Sequence, residues 1–164
     1  MRFSEILGHE SVKERLRTMA DNDRLPHALV IEGPPGTGKF AMARATAQYI
    51  HCANRTDGDS CGHCPSCVQH QSFNHIDTIY SFPVLKSAGG AVSDDFMSLW
   101  KEFLNDSPYM DFESWQRMLG NPNGQPVIYV DESQEIIRKL SFTSHGASCK
   151  VVIMWLPEKM NNQC

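Results

Sequence analysis

At 164 residues, 41% apolar and 21% charged, the chain has the composition of an ordinary globular protein with enough apolar material for a proper core. A formal net charge of −4 argues against a surface that binds nucleic acid unaided, because such surfaces are usually basic. No apolar run approaches the roughly 18 residues of a membrane span, and Met1-Arg2-Phe3-Ser4-Glu5 does not open a signal peptide.

The expected location is therefore cytoplasmic, with no membrane partner, and six cysteines in that compartment point to metal or free thiols rather than disulfides. In chain order, Phe3, Ile6 and Leu7 precede a predicted helix with Val12, Leu16 and Met19 on its apolar face. Lys13, Glu14, Arg15 and Arg17 fall on its wet side, and Asp21-Asn22-Asp23 ends it. Leu25-Pro26-His27 leads into a predicted core strand, Ala28 to Ile31, with His27 read as structural.

Next comes Gly33-Pro34-Pro35-Gly36-Thr37-Gly38-Lys39-Phe40, followed by a predicted helix to Ile50 with Phe40, Ala43, Ala47 and Ile50 along one face. Strand, glycine-rich loop and helix form the context of a phosphate-binding loop. Glycines let backbone N–H groups curl around an anion, the helix N-terminus adds positive dipole, and Lys39 reaches the outer phosphates. The residue after the lysine should carry a hydroxyl for magnesium. Here it is Phe40, which has no ligand atom.

Cys61, Cys64 and Cys67 form C-x-x-C-x-x-C, and Cys52 precedes them across the polar stretch Asn54 to Ser60, which allows the chain to loop back. Thiolates at this spacing converge on one ion, and zinc accepts four sulfurs tetrahedrally, leaving no open position. An iron–sulfur cluster uses similar spacing but in ferredoxins ends in Cys-Pro. His63 and His70 are possible substitutes for a cysteine but unnecessary ones, and Cys149 and Cys164 are not expected to be ligands. A structural zinc module over residues 52–67 is predicted.

From Val68 a short helix is expected, then a strand at Ile76 to Tyr80. Pro83, Gly89 and Gly90 mark an irregular loop. Ser93-Asp94-Asp95 opens a helix bearing Phe96, Leu99, Trp100, Phe103 and Leu104. Ser107-Pro108 precedes another over Phe112 to Leu119, and this aromatic stripe is read as packing rather than chemistry. Two later runs compete as the strand that ends in a magnesium-binding carboxylate. One is Val127 to Val130 followed by Asp131-Glu132; the other is Lys150 to Glu158, more continuously apolar as a strand buried on both faces should be. Asp131 also suits a helix cap before Ile136, Ile137 and Leu140. On pattern alone the two are close.

The chain resembles the N-terminal ATPase-type domain of bacterial DNA polymerase III clamp-loader subunits, AAA+ proteins, and most closely the delta-prime type. The residues that carry the resemblance are Phe3 to Gly8, Arg24-Leu25-Pro26-His27-Ala28, the phosphate loop Gly33 to Lys39, the four-cysteine module, and His75-Ile76-Asp77. Residues 84–126 fit the family pattern poorly and read as an insertion.

The resemblance implies an α/β fold, a P-loop NTPase core with a parallel sheet flanked by helices, from which the zinc module protrudes. It aligns Val130-Asp131 with the start of the helix before the Walker B strand, and Val151 to Met154 with that strand itself. Trp155 and Leu156 then stand where the magnesium-binding Asp and the water-positioning Glu belong. It implies a non-catalytic subunit with no catalytic residues and structural Zn2+. ATP or ADP would be held weakly, without well-held Mg2+. Its implied partners are the gamma/tau and delta subunits, with the sliding clamp and primed DNA reached through the assembled complex. Residues 1–164 read as a truncated AAA+ N-terminal domain, ending before the family's sensor 1, arginine-bearing segment, lid and collar. Two alternatives stand: an active ATPase of gamma/tau type using Asp131 and Glu132, and a zinc-dependent adaptor whose phosphate loop is structural.

Overall fold

Amphipathic repeats in the sequence become helices in the computed structural model, which describes residues 1–86, 91–106 and 110–164. The expected loop glycines Gly89 and Gly90, and the Ser107-Pro108 boundary, lie outside the described residues. The chain forms two units, one from Met1–Ile76 with Ala147–Cys149, the other from Asp77–Gly146 with Lys150–Cys164.

The first unit is helical. Helix α1 (Glu10–Asp21) and helix α2 (Lys39–His51) enclose a core of Phe3, Ile6, Leu16, Met42, Ala45 and Tyr49, and α3 (Pro65–Gln71) follows. The apolar face predicted for α1 is partly wrong. Val12 is 41% exposed whereas Lys13 is buried. Lys13 lays its aliphatic stem against the core, and its ammonium group donates to Ile6 O at 2.6 Å and to Glu10 at 2.7 Å. Of the four residues predicted to line α2's apolar face, only Ala47 is buried, because Met42, Ala45 and Tyr49 carry the packing instead.

The predicted core strand Ala28 to Ile31 is irregular backbone, with Leu29 45% and Val30 83% exposed. A strand needs a hydrogen-bonded neighbour. Among the described residues the paired strands all lie in the second unit, and this run has none.

The second unit contains a parallel pair, β1 (Thr78–Ser81) and β2 (Val151–Met154), in register from Thr78 opposite Val151 to Ser81 opposite Met154. Helices α4 (Met97–Asp106), α5 (Phe112–Met118) and α6 (Val130–Ser141) complete it. The strand predicted from Ile76 starts two residues later, and Ile76 is 63% exposed. The aromatic stripe is core, as expected. Phe82 stacks on Trp100 at 4.0 Å, Trp115 meets Trp100 edge-on at 5.1 Å, and Trp155 lies 5.3 Å from Trp100.

Helix α6 forms where Ile136, Ile137 and Leu140 predict it, but Ile137 is 68% and Leu140 46% exposed. Its hold on the unit comes from polar groups. Glu132 is buried, and Lys139 pairs with Asp94. The result is a mixed helix and strand protein with a small parallel sheet. Among the described residues, no helix is long and apolar enough to cross a membrane.

Candidate functional site

The phosphate-loop sequence forms the N-terminal end of α2. Gly36 (φ 77°) and Gly38 (φ 79°) take left-handed backbone that a side chain disfavours, and Gly38 caps the helix. The loop closes on its own polar groups. Lys39 Nζ donates to Gly33 O at 2.7 Å and Pro34 O at 2.6 Å, and the Thr37 hydroxyl donates to Pro34 O at 2.9 Å. Gly33, Pro34, Pro35 and Gly36 are exposed, while Thr37, Gly38 and Lys39 are partly so. Phe40 sits in the first helical turn and brings no oxygen to the loop.

Of the two candidate carboxylate strands, the later one is a strand. Met154 ends β2, and the next residue, Trp155, is buried, donates its backbone N–H to Ser81 O at 2.8 Å and packs against Trp100 and Phe103. Leu156 follows in left-handed backbone (φ 57°). The earlier run behaves otherwise. Val127 makes an isolated bridge to Val84 and Ile128 one to Met160, and α6 begins at Val130. Asp131 and Glu132 are thus the first turn of a helix. Glu132 is 4% exposed and accepts the backbone N–H of Ser93 at 2.7 Å, while Asp131 forms an exposed pair with Lys86 at 3.3 Å.

The C-terminal end of α2 begins a cysteine cluster. Cys52 caps α2, Cys64 caps α3, Cys67 lies within α3, and Cys61 comes from the segment between. The two-residue turn Asp57-Gly58, both left-handed (φ 52° and 70°), folds the polar stretch back through a Thr56–Asp59 bridge. All four Sγ atoms lie within 4.8 Å of one another, and Cys61 and Cys67 are 3.9 Å apart. A tetrahedron with Zn–S bonds of about 2.3 Å has edges of roughly 3.8 Å, whereas a disulfide needs about 2.05 Å. The donor set therefore fits one zinc ion and no disulfide.

Backbone N–H groups of Cys61 and Cys64 point at Cys52 Sγ and Cys61 Sγ, both at 3.3 Å, the outer contacts that steady a thiolate. Burial pushes the Cys52 and Cys67 thiols up. Burial also raises Cys64, but the N–H groups of Cys67 and Ala53 and the neighbouring thiols outweigh it and bring that group to about 6. A bound cation would draw all four to thiolate. Cys149 and Cys164 stand outside the cluster.

Two features have no motif in the sequence. Asp59, delivered by the turn, accepts the N–H groups of Phe3 at 3.1 Å, Ser4 at 2.9 Å and Ser60 at 2.8 Å. Burial works against its charge, yet those donors hold its carboxyl below the usual carboxylate range. The other is a histidine trio, His51, His70 and His75, beside the cysteines in the chain. Burial, reinforced by His75 and His51, pushes His70 down to about 2, so its ring is neutral.

Residues 8–164 match the family described as DNA polymerase III, delta subunit. The chain is also 31% identical over 93 residues to DNA polymerase III subunit gamma/tau of Mycoplasma pneumoniae, covering 57% of this chain and 13% of that protein. It is 39% identical over 66 residues to subunit gamma/tau of Mycobacterium bovis, covering 40% and 11%. It is 35% identical over 68 residues to Protein STICHEL-like 3 of Arabidopsis thaliana, covering 42% and 6%. The chain thus spans only a small part of each of these relatives.

Proposed function

The chain belongs to the DNA polymerase III delta subunit family, and from that premise we propose that it is a non-hydrolysing, delta-prime-type clamp-loader subunit. In this reading it works in DNA replication beside gamma/tau and delta subunits, and reaches the sliding clamp and primed DNA through their assembly. The observation that carries it is Trp155. Phosphoryl transfer needs magnesium held by a loop hydroxyl and a strand-end carboxylate. Phe40 replaces the first, and a buried, aromatic-packed Trp155 stands in place of the second. Of the two carboxylates of the rival reading, Glu132 is engaged by Ser93 N–H and Asp131 pairs with Lys86.

These residues do not fit a magnesium ion. The loop of Gly33 to Lys39 is left as a weak anion cradle for ATP or ADP, with Lys39 having to leave Gly33 O and Pro34 O before it meets a phosphate. Cys52, Cys61, Cys64 and Cys67 hold a structural zinc, which when bound ties the end of α2 to α3 and offers no open coordination position.

ATP turnover tests the reading. The chain should show none above background, alone or with Phe40→Thr. A gamma/tau-type ATPase, the reading favoured by the names of the relatives, would turn over ATP and lose it with Asp131→Ala.

A further inference from the structure

We propose that His51, His70 and His75 form a second metal site, separate from the four thiols, for a borderline divalent transition cation of the zinc class. The three imidazoles come from the last residue of α2, the last turn of α3 and the segment after it, so no local spacing brings them together. The fold nevertheless gathers one nitrogen of each within 4.8 Å of the others. All three rings are 9% exposed or less, and burying imidazoles together has to be offset by contacts that satisfy them.

The outer contacts assign the inner ones. His51 Nε2 lies 3.0 Å from Cys149 O, and a carbonyl can only accept, so Nε2 carries the proton and Nδ1 presents its lone pair. That Nδ1 faces His70 Nε2 at 3.0 Å. Two nitrogens bound tetrahedrally at about 2.0–2.1 Å stand roughly 3.3 Å apart, so a small opening of this pair admits an ion. His75 stacks on both rings at 4.3 Å, and its Nε2 meets the Ser66 hydroxyl at 3.0 Å. A backbone carbonyl on the far nitrogen, as at His51, is the arrangement that orients a ligating histidine.

Coordination through His70 Nε2 moves that ring's proton to Nδ1, with no net proton released. His75 must turn a nitrogen out of its stack toward the ion. Imidazole nitrogens without sulfur or carboxylate suit zinc, nickel or copper and disfavour magnesium and calcium.

Metal counting on the 164-residue chain, dialysed against excess Zn2+ and then against metal-free buffer, tests the site. Two zinc ions per chain are expected, falling to one in His51→Ala/His70→Ala. With Co2+ as probe, one equivalent should bring the intense thiolate-to-cobalt charge-transfer absorption. The other should add only weak ligand-field bands, and those should vanish in the double histidine variant while the charge-transfer band stays. If that variant loses both ions by unfolding, side-chain 15N shifts of the wild-type histidines decide: Zn2+ should move ring nitrogens of all three. Saturation of the wild type at one ion, histidine shifts unmoved by Zn2+, or a second ion that survives the double variant would overturn the proposal.

Discussion

The two ends of α2 carry equally clear motifs, and only one of them brings ligand atoms together. At the N-terminal end Gly36 and Gly38 take left-handed backbone, but Lys39 bonds to the loop's own carbonyls and the Phe40 side chain offers no oxygen. At the C-terminal end four sulfurs lie within 4.8 Å of one another on a framework of N–H donors and a tight turn. Backbone shape and chemistry need not go together, because shape depends on glycine positions and chemistry on individual side-chain atoms. The same contrast divides Asp131 from Glu132, adjacent carboxylates of which one is exposed and one is built into the fold.

Breaking the cysteine end should have the largest effect. Removing zinc with a chelator, or substituting Cys64→Ser, should unfold the module, since structural zinc contributes on the order of 10 kcal/mol in small zinc-folded peptides. Loss of the cooperative thermal transition of the first unit, followed by circular dichroism with metal counted in parallel, is the expected outcome. Trp155→Asp comes next. Returning a carboxylate to this position removes a buried aromatic side chain and inserts a charge, at a cost of about 3–5 kcal/mol. Denaturant unfolding should show the second unit destabilised, with no gain in ATP turnover.

Asp59→Asn should cost about 1.5–3 kcal/mol, because three backbone donors lose a charged acceptor. Its pH dependence has a definite sign. The folded-state value lies below the ordinary one, so the stabilisation is fully present above the usual carboxylate range and fades as pH falls through the depressed folded value. Wild type and Asp59→Asn should converge in stability in acid and diverge above it. The smallest effect belongs to Asp131→Ala, within about 0.5 kcal/mol for an exposed pair. Glu132→Ala, by leaving the buried Ser93 N–H unpaired, should cost about 1–3 kcal/mol. Equal effects at the two positions would erase the distinction drawn between them.

What was legible in the sequence was local. The cysteine quartet could be read because metal ligation constrains spacing within one short stretch, and α4 because its aromatic residues recur at helical intervals. The competition between Asp131 and Trp155 was unresolved by pattern, since both follow apolar runs; the difference lies in which run finds a parallel partner. Lys13 was misplaced because its formal charge hides a long apolar stem. The run Ala28 to Ile31 has strand composition without a strand's neighbour among the described residues of its unit. Asp59 and the histidine trio carried no signal, because their partners lie far away in sequence and are reached only through the fold.

The proposed function turns on the loop Gly33 to Lys39 holding nucleotide without well-held magnesium. Equilibrium titration of the chain with ATP, in the presence and absence of Mg2+, tests this most directly. The account predicts weak binding whose affinity is the same in both, diminished by Lys39→Ala and untouched by Asp131→Ala. A tenfold or greater tightening by Mg2+ that Asp131→Ala abolishes would contradict it and place the metal contact on α6.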